Sequence, residues 1–249
     1  MGERIRPPVY SPKQDDQILP DPALTGGGGT FIGDCTPSGF PHIDTIATTQ
    51  ITTNATSHTI NLPAGIVAGD LLVMVLACDG SPTTCTATGW TSVTAGGSSA
   101  NCSVTVLYRI ADGTEGATVT VTTSASEQLT AWVARLLDAH ASAAPEGVSG
   151  GVGTAETVQT SGSLTPSWGA ANTLWLSIVC TDGSATTGIT YSGQPLQYVY
   201  AYHLPNANTT TVSVAIVFRY LNTATQDPGD FRTSTAEQYA HATVAIRPV

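Results

Sequence analysis

The sequence predicts an all-β chain: two tandem antiparallel β-sandwich modules, jelly-roll or immunoglobulin-like, preceded by an extended N-terminal arm. Three observations predict it. Short runs rich in β-branched and aromatic residues are divided by turn dipeptides such as Asp79-Gly80 and Asp112-Gly113, as in strands joined by tight connections. No 12-residue stretch sets apolar residues at helical spacing. Third, the chain repeats itself. LLVMVLACDGSPTT from Leu71 matches LWLSIVCTDGSATT from Leu174 at an offset of 103, and VTVLYRI from Val104 matches VAIVFRY from Val214 at an offset of 110. The second offset also aligns TSASEQ from Thr123 with TSTAEQ from Thr233. Gap-free blocks in one order are the mark of a duplicated unit.

Taken in order, residues 1–42 read as the arm. Pro7, Pro8, Pro12, Pro20, Pro22 and Gly26 to Gly29 leave it without apolar periodicity. Proline removes backbone donors and glycine raises the entropy of the free chain, so this segment builds no core of its own. Residues 43–140 form the first sandwich, with strands expected at Ile60-Asn61-Leu62, Leu71 to Cys78, Val104 to Ile110, Val119-Thr120-Val121 and Leu129 to Leu137. The stretch Glu127 to His140 reads as strand because its apolar positions lack a helical period. Residues 141–153, mostly Ala, Ser and Gly, read as a hinge, and 154–249 as the second sandwich.

Composition excludes several functions. Eight Lys and Arg against eighteen Asp and Glu give a net charge of −10. The only basic cluster is Arg4, Arg6 and Lys13, too little to displace phosphate counterions, so no nucleic-acid partner is expected. The longest apolar run, Leu71 to Cys78, has eight residues, far short of a membrane span, so no membrane role is expected. The N-terminus lacks the apolar segment of a secretory signal, so assembly in a reducing cytoplasm is expected. Five cysteines (Cys35, Cys78, Cys85, Cys102, Cys180) contain no CxxC pair and read as buried thiols acting as small hydrophobes. A disulfide from Cys78 to Cys85 or Cys102 is left open by the turn between them.

Candidate sites are few. There is no GxSxG, and five histidines occupy five unrelated settings, so no catalytic residues are assigned. No cofactor or metal is expected either. Asp79 and Asp182 fall at the same turn of both repeats, as do Glu127 and Glu237, and an acid duplicated at a hairpin serves the turn. Arg109 and Arg219 also correspond, with a stacking and salt-bridge role expected toward Glu127 and Glu237. Asp112 to Glu115 reads as a solvated hairpin, and the four tryptophans as core anchors. Tyr198, Tyr200 and Tyr202 alternate, which puts them on one face of a strand. They read either as a cross-strand core ladder or as an exposed face for sugar or protein.

One resemblance adds to this. SHTINLPAGIVAGDLLVMVLACDG at residues 57–80, then Gly89-Trp90, LYRIADGTEGATVTV at 107–121 and SWGAANTLW at 167–175, resemble virion structural proteins of tailed bacteriophages. The resemblance implies a non-enzymatic β-sandwich virion component: a capsid decoration or cement protein, a head fibre or a tail appendage. The expectation is a subunit on the virion exterior, attached to the major capsid protein or other virion subunits through Arg4, Arg6, Pro7, Pro8 and Lys13, and homo-oligomeric, with a trimer favoured. The alternative is a tail or fibre module that binds host receptor or glycan through the tyrosine face.

Overall fold

The computed structural model describes residues 37–80, 83–94, 97–99, 101–181, 189–192, 198–204 and 212–249. The expected arm, with Arg4, Arg6, Pro7, Pro8 and Lys13, lies outside them apart from its last residues. Thirteen strands and no helix are present among the described residues.

In the first repeat, β1 (His42–Asn61), β2 (Leu71–Asp79), β6 (Cys102–Ile110) and β7 (Thr118–Leu137) carry the sheet, with short strands β3 (Cys85–Ala87), β4 (Thr91–Ser92) and β5 (Gly97–Ser98). The sheet is antiparallel and runs β1-β7-β2-β6-β4, with β3 added on β7 and β5 on β6. The second repeat builds the same topology. Here β8 (Glu146–Thr160), β9 (Ala171–Thr181), β12 (Ser213–Thr223) and β13 (Asp230–Ile246) stand where β1, β2, β6 and β7 stand in the first. The edge strands are β10 (Thr190–Tyr191), paired with β13, and β11 (Val199–Leu204), paired with β12. The sequence duplication is thus a duplication of strand order.

The two expected strands Val119–Val121 and Leu129–Leu137 are one 20-residue strand, β7. It bends where the TSASEQ block falls. Register against β1 slips between Ile51 and Ala55 and again between Ala55 and Ser57. Such irregularities turn a strand sharply. The Thr123 hydroxyl stabilises the corner by donating to the Ala125 carbonyl at 2.7 Å. In the second repeat Thr233 donates to the Thr235 carbonyl, also at 2.7 Å, beside the matching slips in β13. The repeated block is therefore the corner of each long strand.

The corners explain why a strand of an antiparallel sheet carries an unbroken apolar run. Antiparallel strands with one wet face alternate, yet Leu71 to Cys78 are all buried. Beyond the corner, the second half of β1, the first half of β7 and β3 fold back as a ribbon over the outer face of the sheet. Ile60, Val121 and Cys85 from this ribbon pack on Met74, Leu76, Cys78, Leu107 and Val133. The opposite face belongs to a different core. Leu71, Val73, Val75, Val104, Val106 and Trp132 pack against Leu174, Leu176, Ile178, Val214, Ile216 and Val244 of the second repeat. The second repeat closes its own outer core around Trp175, Phe231, Tyr198 and Tyr239. Each repeat is thus a small sandwich, and the two also share a third core made from equivalent positions.

The expected hinge needs correction. From Glu146 onward it is strand, paired with β13 from Glu146↔Ala245 to Gly151↔Ala240. Its small residues answer a packing demand in place of a flexible one. Gly97 of the first repeat lies on this pair of strands, where a Cβ would collide with the Gly150 carbonyl oxygen and lie 2.8 Å from that of His241. A Cβ on Gly150 would in turn sit 2.7 Å from the His241 ring. The repeats approach here backbone to backbone. The end of β7 is also tied to the C-terminus, through an Ala139↔Pro248 bridge and a bond from the His140 amide to the Arg247 carbonyl at 3.0 Å.

Candidate functional site

The tyrosines do not share a face. Between Tyr200 and Tyr202, β11 carries one more residue than β12, with Tyr200↔Val217 followed by Tyr202↔Ile216. That extra residue, Ala201, resets the alternation. Tyr198 is buried in the outer core of the second repeat, with its ring 5.3 Å from Tyr191. Tyr202 packs against the shared core on the other side. Burial pushes both phenols up, and for Tyr202 a hydrogen bond with Thr48 of the first repeat pulls the other way. The Tyr200 side chain lies outside the described residues. A one-sided platform is thereby corrected to two core residues on opposite faces.

The arginines divide in role. Arg219 is buried with its guanidinium 6.0 Å from the Tyr198 ring centroid, so the expected stacking holds there. Arg109 does not pair with Glu127. It binds Asp112 at 2.7 Å and Glu115 at 3.1 Å. The reason is register: Arg109 lies opposite Leu72 at the start of β2, whereas Glu127 lies over the far end. Within Asp112 to Glu115, the Asp112 carboxylate accepts the Thr114 amide at 2.9 Å, and Glu115 accepts the Asp112 and Gly113 amides at 2.7 and 3.0 Å. The carboxylates close a hairpin, as the sequence implies.

Sequence reasoning missed a second ion cluster. Arg135 on β7 binds Asp70 at 2.6 Å and Asp44 at 2.8 Å, and Asp70 also accepts the Val67 amide at 2.8 Å. Asp70 belongs to the Ala-Gly-Asp entry to β2, so the turn was visible while its partner, 65 residues away, was not. The second repeat solves the same position without charge. Thr173 stands for Asp70 and accepts the Trp168 indole N–H at 3.3 Å.

The most organised polar locus joins the repeated blocks themselves. Residues 79–80, 83–84 and 123–128 meet at one end of the first repeat. The Thr84 amide donates to the Ser124 hydroxyl at 3.0 Å, and the Ser124 amide donates to the Thr84 carbonyl at 3.0 Å. Gly80, at φ 135°, leaves room for the Glu127 carboxylate, which a Cβ there would overlap. Burial first and the Asp79 charge second push the Glu127 carboxyl up. Behind the corner, buried His58 lies with Nε2 3.2 Å from the Thr123 hydroxyl. In the second repeat Gln159 Nε2 donates to the Thr233 hydroxyl at 2.9 Å. Since Thr123 already donates to Ala125, His58 serves as the donor through an Nε2–H tautomer. Desolvation lowers its basicity, in keeping with a neutral ring. The counterpart block 182–187, with Asp182, lies outside the described residues.

The hydrogen bonds of this locus run between its own side chains and to backbone, so the arrangement fastens the ribbon to the sheet. Among the described residues no cluster of His, Cys, Asp and Glu is placed to hold a metal. One shallow depression of about 390 Å³ lies between the Leu62–Ile66 turn and the Gly113–Ala117 hairpin. Its walls are largely main chain and small side chains. No family model matches the chain, and neither a curated protein nor a solved structure matches it.

Proposed function

We propose that this protein is a structural component of a tailed-bacteriophage virion, a decoration or cement subunit held on the outside of the shell by its N-terminal segment. The observation that carries the reading is the division of labour in the chain. A duplicated β body with three apolar cores follows a Pro/Gly-rich segment that carries three of the eight basic residues. The segment 1–30 holds three basic and four acidic residues, leaving five basic and fourteen acidic in the body, or −9. The body's net charge of −9 opposes docking on an acidic surface, and Arg4, Arg6 and Lys13 supply positive charge to meet acids on the major capsid protein. Proline-rich sequence such as Pro7-Pro8 favours an extended backbone. The expected assembly is a homotrimer at a three-fold position of the shell.

The test is particle incorporation. A chain lacking residues 1–30 should fold and yet fail to join the particle, while Arg4→Glu with Arg6→Glu should weaken attachment in a salt-dependent way. Full incorporation of the truncated chain would refute the anchoring role. The receptor- or glycan-binding reading rested on a tyrosine platform, and two of its three members are core residues.

A further inference from the structure

We propose that Cys78 and Cys85 form a paired-thiol oxidation site, in which hydrogen peroxide converts the two into an intramolecular disulfide that staples the outer ribbon to the main sheet. The sulfurs are 3.3 Å apart. Cys78 ends the buried run of β2, opposite Leu129 and Ser103, and Cys85 opens β3, opposite Thr123. They face each other across the first repeat's outer core, one from each layer. Only a short approach separates that arrangement from a bond, since the strands already hold both side chains toward one another.

The chain's other neighbouring thiols make the contrast. Cys102 and Cys180 sit in the core shared by the repeats, both 0 % exposed, whereas Cys85 is 4 % exposed at the ribbon. The Cys102 thiol also points to backbone carbonyls, at 3.6 Å to Cys180 and 3.9 Å to Gln238. The outer pair has a division of roles as well. Of the two, Cys85 is the one a peroxide reaches, being 4 % exposed where Cys78 is 0 % exposed, and in their 3.3 Å contact either sulfur can donate. Cys85 is the attacking thiolate and Cys78 the resolving thiol.

The steps balance. Cys85 thiolate attacks one peroxide oxygen, the O–O bond breaks, and hydroxide leaves and takes up a proton as water, giving Cys85 sulfenic acid. Cys78 sulfur attacks the Cys85 sulfur, its thiol proton passes to the departing hydroxide, the S–O bond breaks and a second water leaves. Two thiols are oxidised and one peroxide is reduced to two waters. The bond closes the loop 79–84, so the oxidised chain fixes the block carrying Asp79 and Gly80 against Glu127. This inference stands apart from the virion reading and survives or fails without it.

The full chain is treated with hydrogen peroxide, quenched, unfolded and alkylated. The expected result is a fall from five alkylatable thiols to three, reversed by dithiothreitol. A protease that cuts before Asp79 separates Cys78 from Cys85, so its fragments should stay joined until reduced. In Cys78→Ser, dimedone should trap a sulfenic acid at Cys85, and in Cys85→Ser none should form at Cys78. The wild-type fragment map decides the matter even where a variant fails to fold. A bond mapped to Cys102 and Cys180, oxidation that stops at sulfinic acid on Cys85, or five thiols still alkylatable would each overturn the proposal.

Discussion

The shared core makes a strong demand: the first repeat cannot stand alone. Ten of its residues line that core, eight of them larger than alanine, including Leu71, Val73, Val75, Trp132 and Leu136. Cutting the chain after His140 exposes this whole face to water. Burial of a large apolar side chain contributes roughly 2 kcal/mol, so exposing the seven Leu, Val and Trp side chains among them costs about 14 kcal/mol. A whole domain has only about 5–15 kcal/mol of net stability. A chain of residues 37–140 is therefore expected to aggregate, or to self-associate by laying one copy's face on another's. Size-exclusion chromatography with light scattering reads the mass, and denaturant titration reads the cooperativity. In the intact protein, Trp132 and Trp175, one in each repeat and both buried, should report a single transition with a common midpoint. A monomeric 37–140 fragment with a sharp transition of its own would refute the reasoning, because it would show the face to be dispensable.

Three other outcomes follow from the geometry. His58→Gln should cost less than about 0.5 kcal/mol, because Gln159 makes the same bond to Thr233 in the second repeat. His58→Leu, which leaves the Thr123 hydroxyl without its donor, should cost about 1–2 kcal/mol in urea titrations, and equal losses would contradict the shared role. Burial lowers the basicity of both His58 and His241, so folding binds them neutral while the unfolded chain protonates them near pH 6.5. Their contribution is complete above that pH and is lost as pH falls through it, at up to about 1.4 kcal/mol per pH unit for each ring. A thermal midpoint that stays level or rises between about pH 7.5 and 5.5 would count against it. Gly97→Ala should destabilise by about 1–3 kcal/mol or more, since the new methyl meets main-chain oxygens of two strands in place of a yielding side chain. Differential scanning calorimetry would measure that, and a midpoint unchanged from wild type would mean that the repeats are farther apart than described.

How far the fold was legible depended on the range of the signal. Strands at Leu71 to Cys78 and Val104 to Ile110 were readable because β-branched runs and Asp-Gly turns act within a few residues. The repeat was readable because identical blocks keep their order. The corner at Thr123 was in plain view as TSASEQ matching TSTAEQ, yet its role required knowing that Thr123 bonds to Ala125 while β1 slips past it. The hinge misread had a simple cause: Ala, Ser and Gly suit a flexible link and also suit a strand pressed against another backbone, and composition does not distinguish them. Tyr198 and Tyr202 are core-packed, as the core reading had it, but the single face expected of them failed for a related reason. Alternation holds only until a bulge, and a single extra residue at Ala201 left no mark in the pattern. Arg109 chose Asp112 and Glu115 over Glu127 because strand register, invisible in one sequence, sets which end of β2 each residue occupies.

The sequence by itself determined that the chain is β, that it is built twice, and that its body is acidic and poor in long charged side chains. These follow from local backbone preference and composition, which need no partner. Tertiary structure alone decided which face of each strand meets which core. The eight-residue run of β2 is apolar throughout because one face meets its own ribbon and the other meets the second repeat. Apolar burial is non-directional, so a sequence can state that a residue must be covered without stating by what. One half of the cover came from the nearby ribbon and the other from strands a hundred residues or more away.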